Sequence, residues 1–277
     1  MLGVRQRVSH GLSRNFRWPG KAVILPHHVT AGYRYILPPA AIKRRRPRRF
    51  YTVMGVIATL VAAAGFGGSY YGMAAGTGSL SPLVKIHGVI FALWLVLFVA
   101  QTTLVAARSV ALHRRLGYAS VALAVAVVAL GYATAVAAAR RGHDLSLDDT
   151  HDPLRFLVFT LGDTLGFAVL AGAGFWFRRR PEAHKRLMLL ATVSPMMNAP
   201  LVHFFVHHPE IPARPIILLV PMFALLFAPA VYDRLTRGRF HPVTLWGAVI
   251  LFAWGNLRAV AIGPSEWWHR LAAWLIS

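Results

Sequence analysis

Long runs of apolar residues alternate along the chain with short polar stretches. Seven runs are long enough, at ~1.5 Å of rise per residue, to cross a hydrocarbon core of ~30 Å as helices. They are Phe50–Gly72, Pro82–Ala107, Leu116–Ala139, Arg155–Phe177, Leu187–His207, Pro215–Tyr232 and Pro242–Ile262. The pattern predicts an all-α, polytopic transmembrane helix bundle. The sixth run is the shortest, and Pro221 and Pro229 interrupt it. Proline is tolerated in spanning helices where neighbours satisfy the freed carbonyls.

Two flanks lie outside the seven-helix domain of residues 43–262. Residues 1–42 are basic, carry Pro19, Pro26, Pro38 and Pro39, and have neither a helical nor a strand period. They are expected to be disordered, and they contain no apolar core of a signal peptide. A start codon assigned too far upstream is one reading of them. At the other end, residues 263–277 read as a short interfacial helix. Ser265 suits its N-cap, and Trp267, Trp268 and Trp274 suit the headgroup layer.

Charge adds orientation. Only 14% of residues are charged, against about a quarter in soluble domains. The net charge of +21 is not a nucleic-acid footprint, because the bases punctuate apolar runs instead of forming one face. Six basic residues fall within Lys43–Arg49. Arg108, Arg114 and Arg115 follow in the second-to-third connection, and Arg178, Arg179, Arg180, Lys185 and Arg186 in the fourth-to-fifth. Arg234, Arg237 and Arg239 lie in the sixth-to-seventh. The alternate connections hold Asp144, Asp148, Asp149, Asp152 and Glu210. The positive-inside rule then puts the N-terminus in the cytoplasm and the C-terminus outside. The lipid bilayer is the expected partner, and nucleic acid is not. Cysteine is absent, which removes disulfides, thiolate metal sites and thiol catalysis.

An ionisable group inside a bilayer is costly and marks a functional candidate. His87, Asp163 and His203 qualify, with Asn198 as a buried amide. Their positions along the runs predict one polar site in the outer half of the bundle, with Lys85 above it and Pro195 and Pro200 bending the fifth span. His113 and His184 lie at the opposite interface. Histidines from different helices at one depth are what axial ligation of heme iron requires, so His87, His113 and His184 are candidate heme b ligands. The other reading of His113 and His184 is that they cap helix starts or meet headgroup phosphates. His203 and His207 share a helix face at i, i+4 and are candidate metal ligands, without a third or fourth ligand at diagnostic spacing. Asp148, Asp149, His151 and Asp152 form a second outer cluster that reads as solvated. Asp163 is either a proton-linked group or a hydrogen-bonded lock between helices. Asp233, beside Arg234, reads as a structural ion pair. Gly117, Gly131, Gly162, Gly166, Gly172 and Gly174 read as helix-packing positions. No hydrolase, nucleotide-binding or thiol motif is present, so an oxidoreductase activity would require bound heme.

The starts His113-Arg114-Arg115-Leu116 and His184-Lys185-Arg186-Leu187 echo each other and hint at a repeat of helix pairs. A resemblance rests on Gly65-Phe66…Tyr70-Tyr71, His87-Gly88, Leu112–Gly117, Leu161-Gly162-Asp163, Arg180–Thr192, Tyr232-Asp233…Arg237-Gly238-Arg239 and His241-Pro242. Together these resemble an uncharacterised family of bacterial seven-helix inner-membrane proteins over about residues 46–262. The resemblance implies fold and an inner-membrane location, not an activity. The chain departs from that pattern at Pro195–His203, so no role is carried onto Asn198 or His203. His87, His113 and His184 are also loosely similar to the histidines of membrane b-type cytochromes. Three functions are left open: small-solute or proton-coupled transport at the outer polar site, heme- or quinone-linked redox chemistry, and a scaffold or assembly role.

Overall fold

In lipid, backbone N–H and C=O groups find no water, so an apolar run closes its hydrogen bonds within itself. The computed structural model, which describes residues 49–74, 80–143 and 151–277, follows that rule throughout. The elements are α1 (Phe50–Ala74), α2 (Pro82–Ala106), α3 (Val110–Arg140), α4 (Pro153–Trp176), α5 (Pro181–Val193), α6 (Pro195–Val206), α7 (Arg214–Arg237), α8 (Pro242–Leu257) and α9 (Glu266–Ile276). Among the described residues there are seven spans able to cross a membrane, α5 and α6 together forming the fifth. The protein is an all-α polytopic membrane protein. Residues 1–42, Asp144, Asp148 and Asp149 lie outside the described residues.

Local chemistry sets the helix ends. Ser81 and Asp152 accept hydrogen bonds from the N–H groups of Val84 and Arg155 and so cap α2 and α4. Gly238 closes α7 at φ 72°, the left-handed conformation that glycine adopts without penalty. The sixth span departs from expectation. α7 runs unbroken through Pro221 and Pro229 and extends to Arg237, so it is neither short nor interrupted.

The fifth span breaks instead. Ser194 leaves helical geometry at φ −117°, ψ −81°, because Pro195 lacks an N–H and disfavours helix in the residue before it. This broken span is the centre of the bundle: 61% of its apolar window is buried, against 28% or less in the others. Leu189, Leu190, Ala191, Val193 and Met197 are fully buried, whereas Leu60, Val125, Ile216 and Val260 face outward. α1 approaches α6 so closely that a Cβ on Gly65 would lie 2.2 Å from the Pro200 carbonyl oxygen. Only glycine fits there.

At the basic end of the bundle an ion cluster ties α5 to α7 and α8. Arg186 and Asp233 are each 1% exposed. The Arg186 guanidinium forks onto the Asp233 carboxylate, Nε to Oδ2 at 2.8 Å and Nη2 to Oδ1. Thr244 Oγ1 donates to Asp233 at 2.8 Å. Arg186 Nη1 also donates to the Glu182 carboxylate and carbonyl, and Glu182 further pairs with Lys185 and Arg237. Asp233 is therefore a structural ion pair as expected, but its partner is Arg186 and not the adjacent Arg234. Nearby, Phe50 of α1 stacks on Tyr232 at 3.7 Å.

α9 folds back against the far ends of α3 and α4. Ser265 precedes it, but its hydroxyl donates to the Ile262 carbonyl instead of capping α9. Trp268 is buried and donates from Nε1 to the Leu154 carbonyl at 2.7 Å, so it anchors the helix. Trp267 and Trp274 are exposed, whereas Trp268, expected with them in the headgroup layer, is not. Arg140 donates to the carbonyls of Ile276 and Ser277. His269 donates from Nδ1 to the Ser265 carbonyl and contacts Asp152 through Nε2 at 2.8 Å.

Two predictions follow from these contacts. Replacing Arg186 by Leu leaves Asp233 buried without its cation, and costs about 3–5 kcal/mol of apparent stability. Arg115→Leu, at the echoing but exposed position, stays within about 0.5 kcal/mol. Unfolding in detergent micelles, followed by circular dichroism, measures both. The second concerns α9. The bond to the Ser265 carbonyl and then Asp152 raise the His269 pKa above its ordinary 6.5. Burial pushes Asp152 up, but the Arg155 N–H and His269 outweigh it and hold the carboxyl below its ordinary 3.8. The His269 contribution is complete below pH ~6.5 and fades as pH rises through the raised value; the Asp152 contribution is complete above pH ~3.8 and fades as pH falls through the lowered one. Protection of the α9 amides, read as the exchange rate against the intrinsic rate at each pH, is therefore greatest between those limits and falls at alkaline pH. His269→Ala removes that alkaline loss of protection.

Candidate functional site

The fourth, fifth and seventh spans build the far-half polar site. Asp163 projects from the middle of α4. Asn198, one turn past the Ser194 break, donates from Nδ2 to Asp163 Oδ1 at 3.0 Å. Arg258 reaches the same oxygen at 2.9 Å from the start of a π-turn over Arg258–Ile262. That wider turn ends the seventh span with Arg258 4% exposed while Leu257 and Val260 face outward.

Several groups seat the guanidinium. Its Nη1 donates to the Phe159 carbonyl at 2.7 Å. Its charge lies 5.4 Å from the Trp254 ring centre and 5.7 Å from that of Phe159, so both rings stabilise it. Its stem lies over Gly162, where a Cβ would come within 2.4 Å of Arg258 Cδ. Trp254 Nε1 donates to the Gly162 carbonyl at 3.2 Å. Gly162 is thus a packing position, as expected, but it accommodates an arginine and not a helix backbone. Arg258 Nε is buried with no hydrogen-bond partner.

Arg258 is the site residue that sequence reasoning missed. It stands near the end of a run and reads as a terminal base. The available signal was an arginine within one apolar run and an aspartate within another, both toward the far end, since such charges seek one another in a bilayer.

The other expected members lie elsewhere. His203 Nδ1 donates to the Gly65 carbonyl of α1 at 2.7 Å, which leaves Nε2 to accept from the Ser69 hydroxyl at 3.3 Å. The His207 ring stacks on His203 at 4.1 Å, and its Nδ1 donates to the His203 carbonyl. Stacked rings present faces, not lone pairs, to one another. Among the described residues no group of three or more histidine, aspartate or glutamate side chains is placed to hold a metal ion. Buried His87 Nδ1 has no hydrogen-bond partner, and its ring lies 6.2 Å from Phe91.

At the basic end the structure brings His113 and His184 together. Their ring centres are 6.3 Å apart with planes at 74°. His184 Nδ1 donates to the Gly174 carbonyl of α4 at 2.8 Å, which leaves Nε2 as the nitrogen with the free lone pair. His113 Nδ1 is buried without a partner. His87 does not join them: along α2 it lies roughly 28 Å of helix rise from that end.

Asp163→Asn removes the charge that compensates buried Arg258 and lowers apparent stability by about 3–5 kcal/mol in detergent unfolding. Replacing both Asp163 and Arg258 by Leu recovers part of that loss, because neither charge is then left alone. Neither a family model, nor a curated protein, nor a solved structure matches this chain.

Proposed function

We propose that this chain is a multi-pass protein of the bacterial inner membrane that binds a b-type heme between His113 and His184 and serves one-electron transfer. The observation that carries this reading is the spacing of the two imidazoles. At that spacing both imidazoles would reach one iron ion at ordinary metal–nitrogen distances of ~2.0 Å, so His113 and His184 would hold the group together. Two protein ligands suffice where a macrocycle fills the remaining coordination positions.

The surroundings support it. A ligating histidine commonly donates its second nitrogen to a carbonyl, which fixes tautomer and ring direction. His184 does so toward Gly174. The orphaned nitrogen of His113 is a buried polar atom that a ligand would satisfy. Exposed Arg114 and Arg115 beside His113 would compensate the propionates of the group. When bound, heme would supply a reversible one-electron couple. The protein's own residues hold the imidazoles apart on separate helices, and the Gly174 carbonyl makes His184 a better electron donor. The looser likeness of these positions to membrane b-type cytochromes points the same way.

A second reading, transport of a small solute or proton at the far-half site, is favoured by the unpartnered Nε of Arg258 beside Asp163. One experiment separates the two. The detergent-purified protein, from cells supplied with heme precursor, gives an optical spectrum before and after dithionite. Heme binding predicts a Soret band and sharp reduced α and β bands. His113→Ala and His184→Ala lose them, whereas His87→Ala and Asp163→Asn keep them. A featureless spectrum at full protein recovery would end the heme reading and leave the Asp163 site.

A further inference from the structure

α8 is the least buried of the spans, and it leaves a gap along α4. Trp254 and Arg258 tie the far ends of the two helices together through Gly162, Phe159 and Asp163. Below that tie lies an open groove of about 520 Å³, floored by α5. Its walls include Val169, Ala173, Leu187, Gly247 and Leu251, and almost all of its surface is apolar. It runs along α4 from Leu165 to Phe177 and ends on Arg180. By helix rise that is roughly 18 Å, a little more than the ~15 Å of one hydrocarbon leaflet. The groove therefore belongs to the leaflet at the basic end and does not cross the membrane.

Its mouth carries uncompensated charge. Arg178, Arg179 and Arg180 are exposed and consecutive. Arg178 donates to the Phe175 carbonyl, and Arg180 lies 5.5 Å from the Phe177 ring. Among the described residues, no carboxylate forms an ion pair with any of the three. The nearest acid in sequence, Glu182, is already occupied by Lys185, Arg186 and Arg237. An apolar slot one leaflet deep that ends on Arg180, with exposed Arg178 and Arg179 next to it in sequence and no described carboxylate paired with any of the three, matches one occupant: a phospholipid with an anionic headgroup.

We propose that the α4–α8 groove is a specific site for an anionic phospholipid. One acyl chain lies along Val169 and Ala173, and the headgroup phosphate meets Arg180, with Arg178 and Arg179 supplying the preference for negative charge. Arginine recognises phosphate through paired N–H donors, and each basic residue at a membrane surface favours anionic over neutral lipid. The proposal is independent of the heme reading, since it uses neither His113 nor His184.

The test uses the full-length protein in detergent, with phosphatidylglycerol and phosphatidylcholine of equal chain length as probes. Binding is read by native mass spectrometry, and thermal unfolding is followed in parallel. Phosphatidylglycerol should bind with an apparent affinity about fivefold higher, or more, than phosphatidylcholine. Arg180→Glu should abolish that preference while weak binding of both lipids persists. Val169→Trp, a change at a position 60% exposed and tolerant of bulk, should fill the slot and weaken both lipids. Equal binding of the two lipids by the native chain would overturn the proposal. So would a preference that survives both substitutions in folded protein, or a co-purifying quinone that Val169→Trp displaces.

Discussion

The Arg186–Asp233 pair is the interaction on which the rest of the bundle depends. Helices in lipid gain nothing from hiding apolar surface from one another, so polar contacts and close packing must fix their arrangement. Arg186 lies on the first turns of α5, the most enclosed span, and it reaches α7 through Asp233. Thr244 brings in α8 through the same carboxylate. With α5 held there, the Ser194 break directs α6 toward α1, where Gly65 admits the Pro200 carbonyl. Desolvating two ions is expensive, so this cluster contributes position more than stability. Every hydrogen bond on the Arg186 fork restricts how α5 can rotate, and that rotation decides where His184 points.

A second ion pair does the same work at the far end. Buried Arg258 and half-buried Asp163 join the seventh span to α4, and Asn198 adds α6. The two clusters lie at opposite ends of α8, with the groove between it and α4 below the far-end tie. α8 is thus pinned at its ends and lipid-exposed along its middle. Its low burial reflects that mode of attachment.

The sequence carried the seven spans and their approximate bounds, because hydrophobic length is a direct physical requirement of the bilayer. It also carried the pairing of His113 with His184, since the echo of two basic helix starts placed them at one depth. What it hid was partner choice. Arg186 and Arg258 both read as bases near the ends of apolar runs, where snorkelling is the ordinary outcome. Whether such a residue turns inward depends on a carboxylate contributed by another span, and no local pattern records that. His87 and His203 illustrate the converse. Depth along a helix was legible, but rotation about its axis was not, so a shared level did not bring them to Asp163.

The position of Arg258 also bears on how the molecule is made. Spans enter the membrane in the order of synthesis, and Asp163 is on the fourth while its cation is on the seventh. Between those two events the carboxyl has the Asn198 amide at most, an arrangement poorly suited to hydrocarbon. The seventh span is therefore the one that completes the charge balance of the fourth. Charge balance at Asp163 thus waits for the seventh span, and a chain halted before that span holds the carboxylate without its cation.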